Sequence, residues 1–157
     1  MLTSPHVEVL GKVLSDAIRS ARESNQTLPA TEYFPLVAIQ AGHIGRTPIF
    51  CVPGAGASVI SFDELTRAWG REWPIYGLQP RGVDGRLIPH STVFSAAESY
   101  VRAISQVQPE RPLHLVGHSF GGWVVFEMAQ RLRTLGRTVA SVTIIDAEVP
   151  DLDQGRE

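Results

Sequence analysis

The stretch LHLVGHSFGGWVVFEMAQRL, residues 113–132, leaves a chain like this few folds to choose from. LHLVG is a short apolar run of the kind a buried strand needs, and the residues after Gly121 repeat their apolar positions at helical spacing. Between them stands GHSFG, a G-x-S-x-G pattern. In a strand-turn-helix context this pattern holds a serine on a sharp, strained turn with its hydroxyl toward solvent. Gly117 and Gly121 are the elbow glycines, because a Cβ at either position would obstruct so tight a turn. Ser119 is therefore the candidate nucleophile.

The flanking sequence supplies a sheet for that turn. PLVAIQ (35–40), PIFCV (48–52), PIYGLQ (74–79) and VASVTIID (139–146) read as further strands, PIFCV being apolar throughout as a buried parallel strand is. Helices are expected between them. One is opened by a Ser61/Glu64 capping box with an Ile60–Leu65 staple and closed by Gly70. A second presents Val93, Ala96, Ala97, Tyr100, Val101, Ile104 and Val107 inward. A third presents Val124, Val125, Met128, Leu132 and Leu135, with Gly136 as its cap. Strands alternating with helices imply a parallel sheet covered on both faces, whose ligands bind beyond the carboxyl ends of the strands. That end gathers VPGAGAS from Val52, GHSFGG from Gly117 and DAEVP from Asp146. Residues 5–22 carry Leu10, Val13, Leu14, Ala17, Ile18 and Ala21 at helical spacing, and a polar, proline-interrupted stretch follows. Residues 1–34 are accordingly read as an appended amphipathic helix and linker, and residues 35–157 as the main domain.

Composition removes several alternatives. The 157 residues carry 14 Lys and Arg against 16 Asp and Glu, a net charge of −2, with no basic run to follow a phosphate backbone, so no nucleic-acid partner is expected. No apolar stretch approaches membrane-spanning length and no signal peptide opens the chain, so the expected location is cytoplasmic, with no membrane partner. The single cysteine, Cys51, lies inside PIFCV and reads as a buried, inert thiol. There is no HExxH and no Cys/His cluster, so no metal site is expected.

A serine attacking a carbonyl needs N–H donors for the developing oxyanion, which backbone amides at a helix start supply without reorganisation. Phe120 provides one. The second is assigned to Ala55 in PGAGA, with Gly54 and Gly56 close behind. A glycine-rich phosphate loop is the competing reading there, against which no Lys-Ser or Lys-Thr follows and GxGxxG is lacking. Asp146, closing VTIID, emerges in the same crevice as either a turn former or the third member of a triad. Chain order in such triads runs Ser, then Asp, then His, and no histidine follows Asp146. His6, His43, His90 and His114 lie elsewhere, and His118 occupies the elbow beside the nucleophile, so none is assigned as the base.

PIFCVPGAG, WPIYGLQPRGVDG, the segment through GHSFGGWVVFEMAQRL, and VTIIDAEVP together resemble the thioesterase domain that ends nonribosomal peptide synthetases and some polyketide synthases, an α/β-hydrolase. YGLQPRG is the more discriminating of these motifs. Stand-alone thioesterases carry the same G-H-S elbow, which leaves the subclass open. The resemblance implies an acyl-accepting Ser119, Asp146 as partner of a histidine, and an oxyanion hole from the amides of Ala55 and Phe120. It implies no cofactor bound by the domain itself, the acyl or peptidyl thioester arriving on the 4'-phosphopantetheine arm of a carrier protein domain. Release would be by hydrolysis or cyclisation.

Members of that family continue into a helical lid, further strands and a loop bearing the histidine, where only DLDQGRE remains here. The expectation is a three-layer α/β-hydrolase-type parallel sheet, N-terminal portion only, with the C-terminal lid and last strands absent. Such a chain would be weakly active or inactive. The alternatives are a non-catalytic module that docks on a carrier domain, and a general carboxylesterase. VTII would then form an exposed apolar edge, for which self-association is expected.

Overall fold

The computed structural model describes residues 33–148 apart from residue 109, together with Lys12, Ser15, Asp16 and Arg19. The chain divides into two compact units, Met1–Glu32 and Tyr33–Glu157. In the first, the four described residues are helical and exposed, and Arg19 lies 3.8 Å from Asp16. The apolar face expected over residues 5–22 lies outside the described residues, as does DLDQGRE.

The second unit is built on a five-stranded sheet: β1 (Leu36–Gln40), β2 (Ile49–Val52), β3 (Ile75–Leu78), β4 (Leu113–His118) and β5 (Val139–Ile145), in the order β1-β3-β2-β4-β5. Between β2 and β3 come a 3-10 turn (Val59–Phe62) and α1 (Asp63–Ala68). Helix α2 (Val93–Val107) precedes β4, and α3 (Phe120–Thr134) precedes β5. β3, β2, β4 and β5 run parallel.

The expected all-parallel sheet needs one correction, because β1 pairs antiparallel with β3. A parallel connection requires a crossover of a dozen residues or more, and residues 41–48 between β1 and β2 are too few and contain no helix. They reverse the chain instead. Gly42 adopts φ +63, and a Cβ there would fall 2.2 Å from the Pro74 nitrogen. The edge strand is held by the Gln40 side-chain amide, which donates to the carbonyls of Gly70 (2.9 Å) and Trp73 (2.8 Å).

Alternation along the strands sorts the core into two faces. Phe50 and Val52 of β2, Leu78, Leu113 and Leu115 point one way, and pack with Ala97, Tyr100 and Ile104 of α2 and Val125, Met128 and Leu132 of α3. Ile49, Cys51, Ile75 and Val116 point the other way, against Phe62, with Leu65, Trp69 and Trp73 covering them. This gives three layers, as expected.

Some local expectations fail at the ends of elements. The Ser61/Glu64 capping box does not form, because Ser58 starts the 3-10 turn earlier by accepting from the Ile60 N–H. Ile60 is 78% exposed and staples nothing. The capping box is instead on α2, where Thr92 and Ser95 exchange bonds. Val107 and Leu135, expected inward, stand exposed at the last turns of their helices. Gly70 (φ +77) and Gly136 (φ +74) do follow their helices, and Gly136 and Arg137 donate to the carbonyls of Arg133 and Leu132.

Two outcomes follow from this packing. Leu132 is fully buried, so Leu132→Ala loses about 2–5 kcal/mol of unfolding free energy, whereas Arg102→Ala, which removes an exposed pair with Glu98, changes it by less than about 0.5 kcal/mol. Urea titration measures both. Burial pushes the Cys51 thiol up to about 12, above its unfolded value of about 8.5. The neutral thiol's contribution to stability is therefore complete below that unfolded value and is lost as pH rises toward the folded one. The urea midpoint falls between about pH 8 and about pH 10.5, and it falls less in Cys51→Ala.

Candidate active site

β4 delivers Ser119 to the start of α3 with φ 51 and ψ −124, and its side chain makes no capping hydrogen bond. The hydroxyl is thus not consumed by the helix it precedes. Among the described residues, the non-glycine residues with positive φ are Ser119 and Asp146. Such a conformation costs about 1–3 kcal/mol and persists only where the surroundings enforce it. Here they do so through glycine. A Cβ on Gly117 would lie 2.3 Å from the Gly121 carbonyl oxygen, and one on Gly121 would lie 2.2 Å from the Val52 oxygen. Both obstacles are backbone and cannot swing aside, so the turn requires glycine for clearance at these two positions.

The turn after β2 approaches from the other side. A Cβ on Gly54 would be 3.4 Å from both the Ser119 Cβ and the His118 Nδ1, which places Gly54 and Ala55 beside the nucleophile. The Ala57 N–H closes the turn onto the Gly54 oxygen at 3.1 Å, and Gly56 adopts φ +71. The Phe120 amide is at the first position of α3, where N–H groups have no partner inside the helix. The Ala55 turn and the first residue of α3 thus line one pocket beside Ser119.

Part of YGLQPRG, unassigned by sequence reasoning, supports this turn. Gly77 leaves room for Val59, whose Cγ1 would lie 2.5 Å from a Cβ at that position. The Gln79 side-chain oxygen accepts from the Val59 N–H at 3.1 Å, its own N–H donates to the Pro35 oxygen at 2.7 Å, and its carbonyl accepts from the Tyr33 hydroxyl at 2.8 Å. Gln79 therefore anchors the far end of the loop that carries Ala55. The motif signalled something unusual but not which atoms it would join.

Asp146 leaves the end of β5 at φ 52 with its side chain 87% exposed. Its place is set by its neighbours. The Ser119 N–H donates to the Ile145 oxygen at 2.8 Å, and the Trp123 indole N–H donates to the Glu148 oxygen at 2.9 Å. Gly122 lets α3 press on this segment, since a Cβ there would meet Ile144 Cγ2 at 2.7 Å and Ala147 Cβ at 3.1 Å. Trp123, which sequence reasoning passed over, thus pins the chain leaving the acid.

The described histidines are dispersed. His114 Nδ1 lies 2.8 Å from the Ser141 hydroxyl, and His43 sits in the loop after β1. His118 Nε2 lies 4.0 Å from the Asp146 carboxylate, the outer limit of an ion pair. No histidine is hydrogen-bonded to the Ser119 hydroxyl among the described residues. No group of three or more His, Cys, Asp or Glu among them is placed to hold a metal ion, and no helix is long and apolar enough to cross a membrane.

A pocket of about 230 Å³ opens at the turn after β2, walled by Ala55, Phe120 and Val124 and by Arg81, His90 and Tyr100. Burial pushes the Tyr33 hydroxyl up to about 12, opposed by the neighbouring Tyr100 hydroxyl and the Arg81 charge. Burial raises Tyr100 further, so both phenols stay neutral at ordinary pH. A larger groove of about 460 Å³ between α2 and α3 has none of the site residues on its wall.

Comparison with known proteins points to one family. The chain matches the thioesterase domain family over residues 47–157. It is 31% identical over 137 residues to the nonribosomal peptide synthetase btyA of Aspergillus terreus, covering 87% of this chain and 14% of that one. It is 33% identical over 147 residues to the atromentin synthetase of Tapinella panuoides, covering 93% and 14%. The chain thus spans about one seventh of the length of these relatives. Among solved structures, YbtT, a type II thioesterase from the yersiniabactin NRPS/PKS pathway, superposes with a TM-score of 0.66 at 23% identity over 75% of this chain and 49% of that one, a likeness of fold. With its mixed α/β sheet, its serine elbow and these matches, the chain belongs to the thioesterase domain family.

Proposed function

We propose that Ser119 accepts an acyl or peptidyl group from a phosphopantetheine thioester presented by a carrier protein domain. The Ser119 oxygen attacks the thioester carbonyl and the C–S bond breaks. The acyl group remains on the serine, the hydroxyl proton passes to a base, and the pantetheine sulfur leaves to be protonated as the thiol. Attack on the acyl-serine by water, or by an amine or hydroxyl of the chain itself, then frees the product. The observation that carries this reading is Ser119 itself: a strained residue whose hydroxyl caps nothing, flanked by the free first amide of α3 and the turn of Ala55. The amides of Ala55 and Phe120 stabilise the oxyanion, and removing one such donor typically lowers the rate 10²–10³-fold. Asp146 orients the group that takes the proton.

No general base touches Ser119 among the described residues, and this sets the kinetics expected. Without a triad member, about 10³- to 10⁴-fold of acceleration over water survives, from the oxyanion hole and binding. Incubation with hexanoyl N-acetylcysteamine thioester, followed by intact mass and thiol release, should yield one acyl group per chain on Ser119 and about one equivalent of thiol, with little turnover afterward. Ser119→Ala should show neither. Carrier-domain binding with an unmodified Ser119 would instead favour a docking role without chemistry, and faster reaction with oxygen esters than with thioesters would favour a carboxylesterase.

A further inference from the structure

The back of the pocket beside Ala55 and Phe120 has an unusual end wall. Arg81 Nε and His90 Nε2 are both buried and neither has a hydrogen-bond partner. Arg81 takes part in none of the ion pairs formed among the described residues. A buried donor without an acceptor is unfavourable, more so on a charged group, and such positions in folded proteins are ordinarily satisfied by a ligand, water or ion.

The sequence around them explains why they meet. In RGVDGRLIPH, residues 81–90, Gly82 adopts φ +81, and a Cβ on it would fall 2.3 Å from the Leu87 oxygen and 3.0 Å from Pro89 Cδ. The loop therefore doubles back on Gly82 and returns Pro89 and His90 to the pocket wall that holds Arg81. His90 is fixed there edge-on to Tyr33 and Tyr100, with ring centroids 6.0 and 6.1 Å away. Burial, reinforced by Arg81, lowers its pKa, so near neutrality it presents an uncharged ring and the guanidinium supplies the charge.

We propose that Arg81 and His90 form a subsite for the far end of the acyl group, and that this subsite takes a carboxylate. The inference rests on the thioesterase reading for the position of the acyl carbonyl at Ala55 and Phe120. From there the pocket's 230 Å³ holds about eight non-hydrogen atoms at roughly 30 Å³ each, a short acyl chain ending in an acid. The guanidinium matches a carboxylate in charge and geometry. The phosphate of a pantetheine arm is a less suitable occupant, because the whole arm separates it from the sulfur and a pocket of this size, opening beside Ala55 and Phe120, is too short to hold that arm.

Binding to the Ser119→Ala chain, where no acyl transfer intervenes, tests this by calorimetry with glutaryl N-acetylcysteamine thioester and its methyl ester. The expected result is about tenfold tighter binding of the free acid, a preference reduced below about threefold in the Ser119→Ala, Arg81→Gln double variant. Equal affinity for the two thioesters, undetectable binding of the glutaryl thioester, or a preference that survives Arg81→Gln would overturn the subsite. The comparison of the two ligands stands even if the double variant does not fold. Failure of the thioesterase reading is read separately: a native chain that keeps the carboxylate preference but is never acylated on Ser119 would retain the binding site and lose the enzyme.

Discussion

The N–H of Ser119 donates to the Ile145 carbonyl across 2.8 Å, so the turn leaving β4 and the residue preceding Asp146 are held together by one backbone bond. That bond exists only in the observed register, which sets His118 opposite Ile145. A slip of one residue would turn every side chain of β5 to the opposite face and displace Asp146. The register in turn depends on the two-faced core, in which Leu115 faces α2 and α3 while Val116 faces Phe62. Packing far from the nucleophile thereby determines where the acid emerges.

The second requirement is clearance. The conformation of Ser119 is unfavourable in isolation, and it is maintained by elements that approach more closely than any side chain allows. Gly121 lies against the end of β2, Gly117 against Gly121, and Gly122 against Ile144 and Ala147. Each close contact joins the elbow to a different neighbour: the end of β2, the start of α3, and the chain on either side of Asp146. Gln79 performs the complementary task at a distance, through hydrogen bonds to Val59 and Pro35. The result is a serine turn held between the end of β2, the start of α3 and the chain leaving β5.

What the sequence made legible follows the range of the interactions involved. The elbow is local: two glycines, a serine and a helix within one short window, and the structure places Ser119 at that strand-to-helix turn. Asp146 was readable as the end of a strand, though not the positive φ or the Trp123 bond that position it. The direction of β1 was missed because periodicity locates a strand without orienting it, and only the length of the loop at residues 41–48 carried that information. The start of α1 was missed because Ser58 competes with Ser61 for the same turn. Least legible was the meeting of Arg81 with His90. They are separated by a loop of no regular period, and its fold depends on a glycine conformation that only the three-dimensional contacts reveal.

Ser119 and the turns around it are described, but no described residue is hydrogen-bonded to its hydroxyl as a base. Adding a soluble base tests this directly. Thioester turnover should rise in proportion to added imidazole and remain absent in Ser119→Ala, since a diffusible base then takes the part that no described residue fills beside Ser119. Sustained turnover without imidazole would show that the protein supplies its own base, and imidazole-dependent turnover persisting equally in Ser119→Ala would show that the strained serine is not the nucleophile.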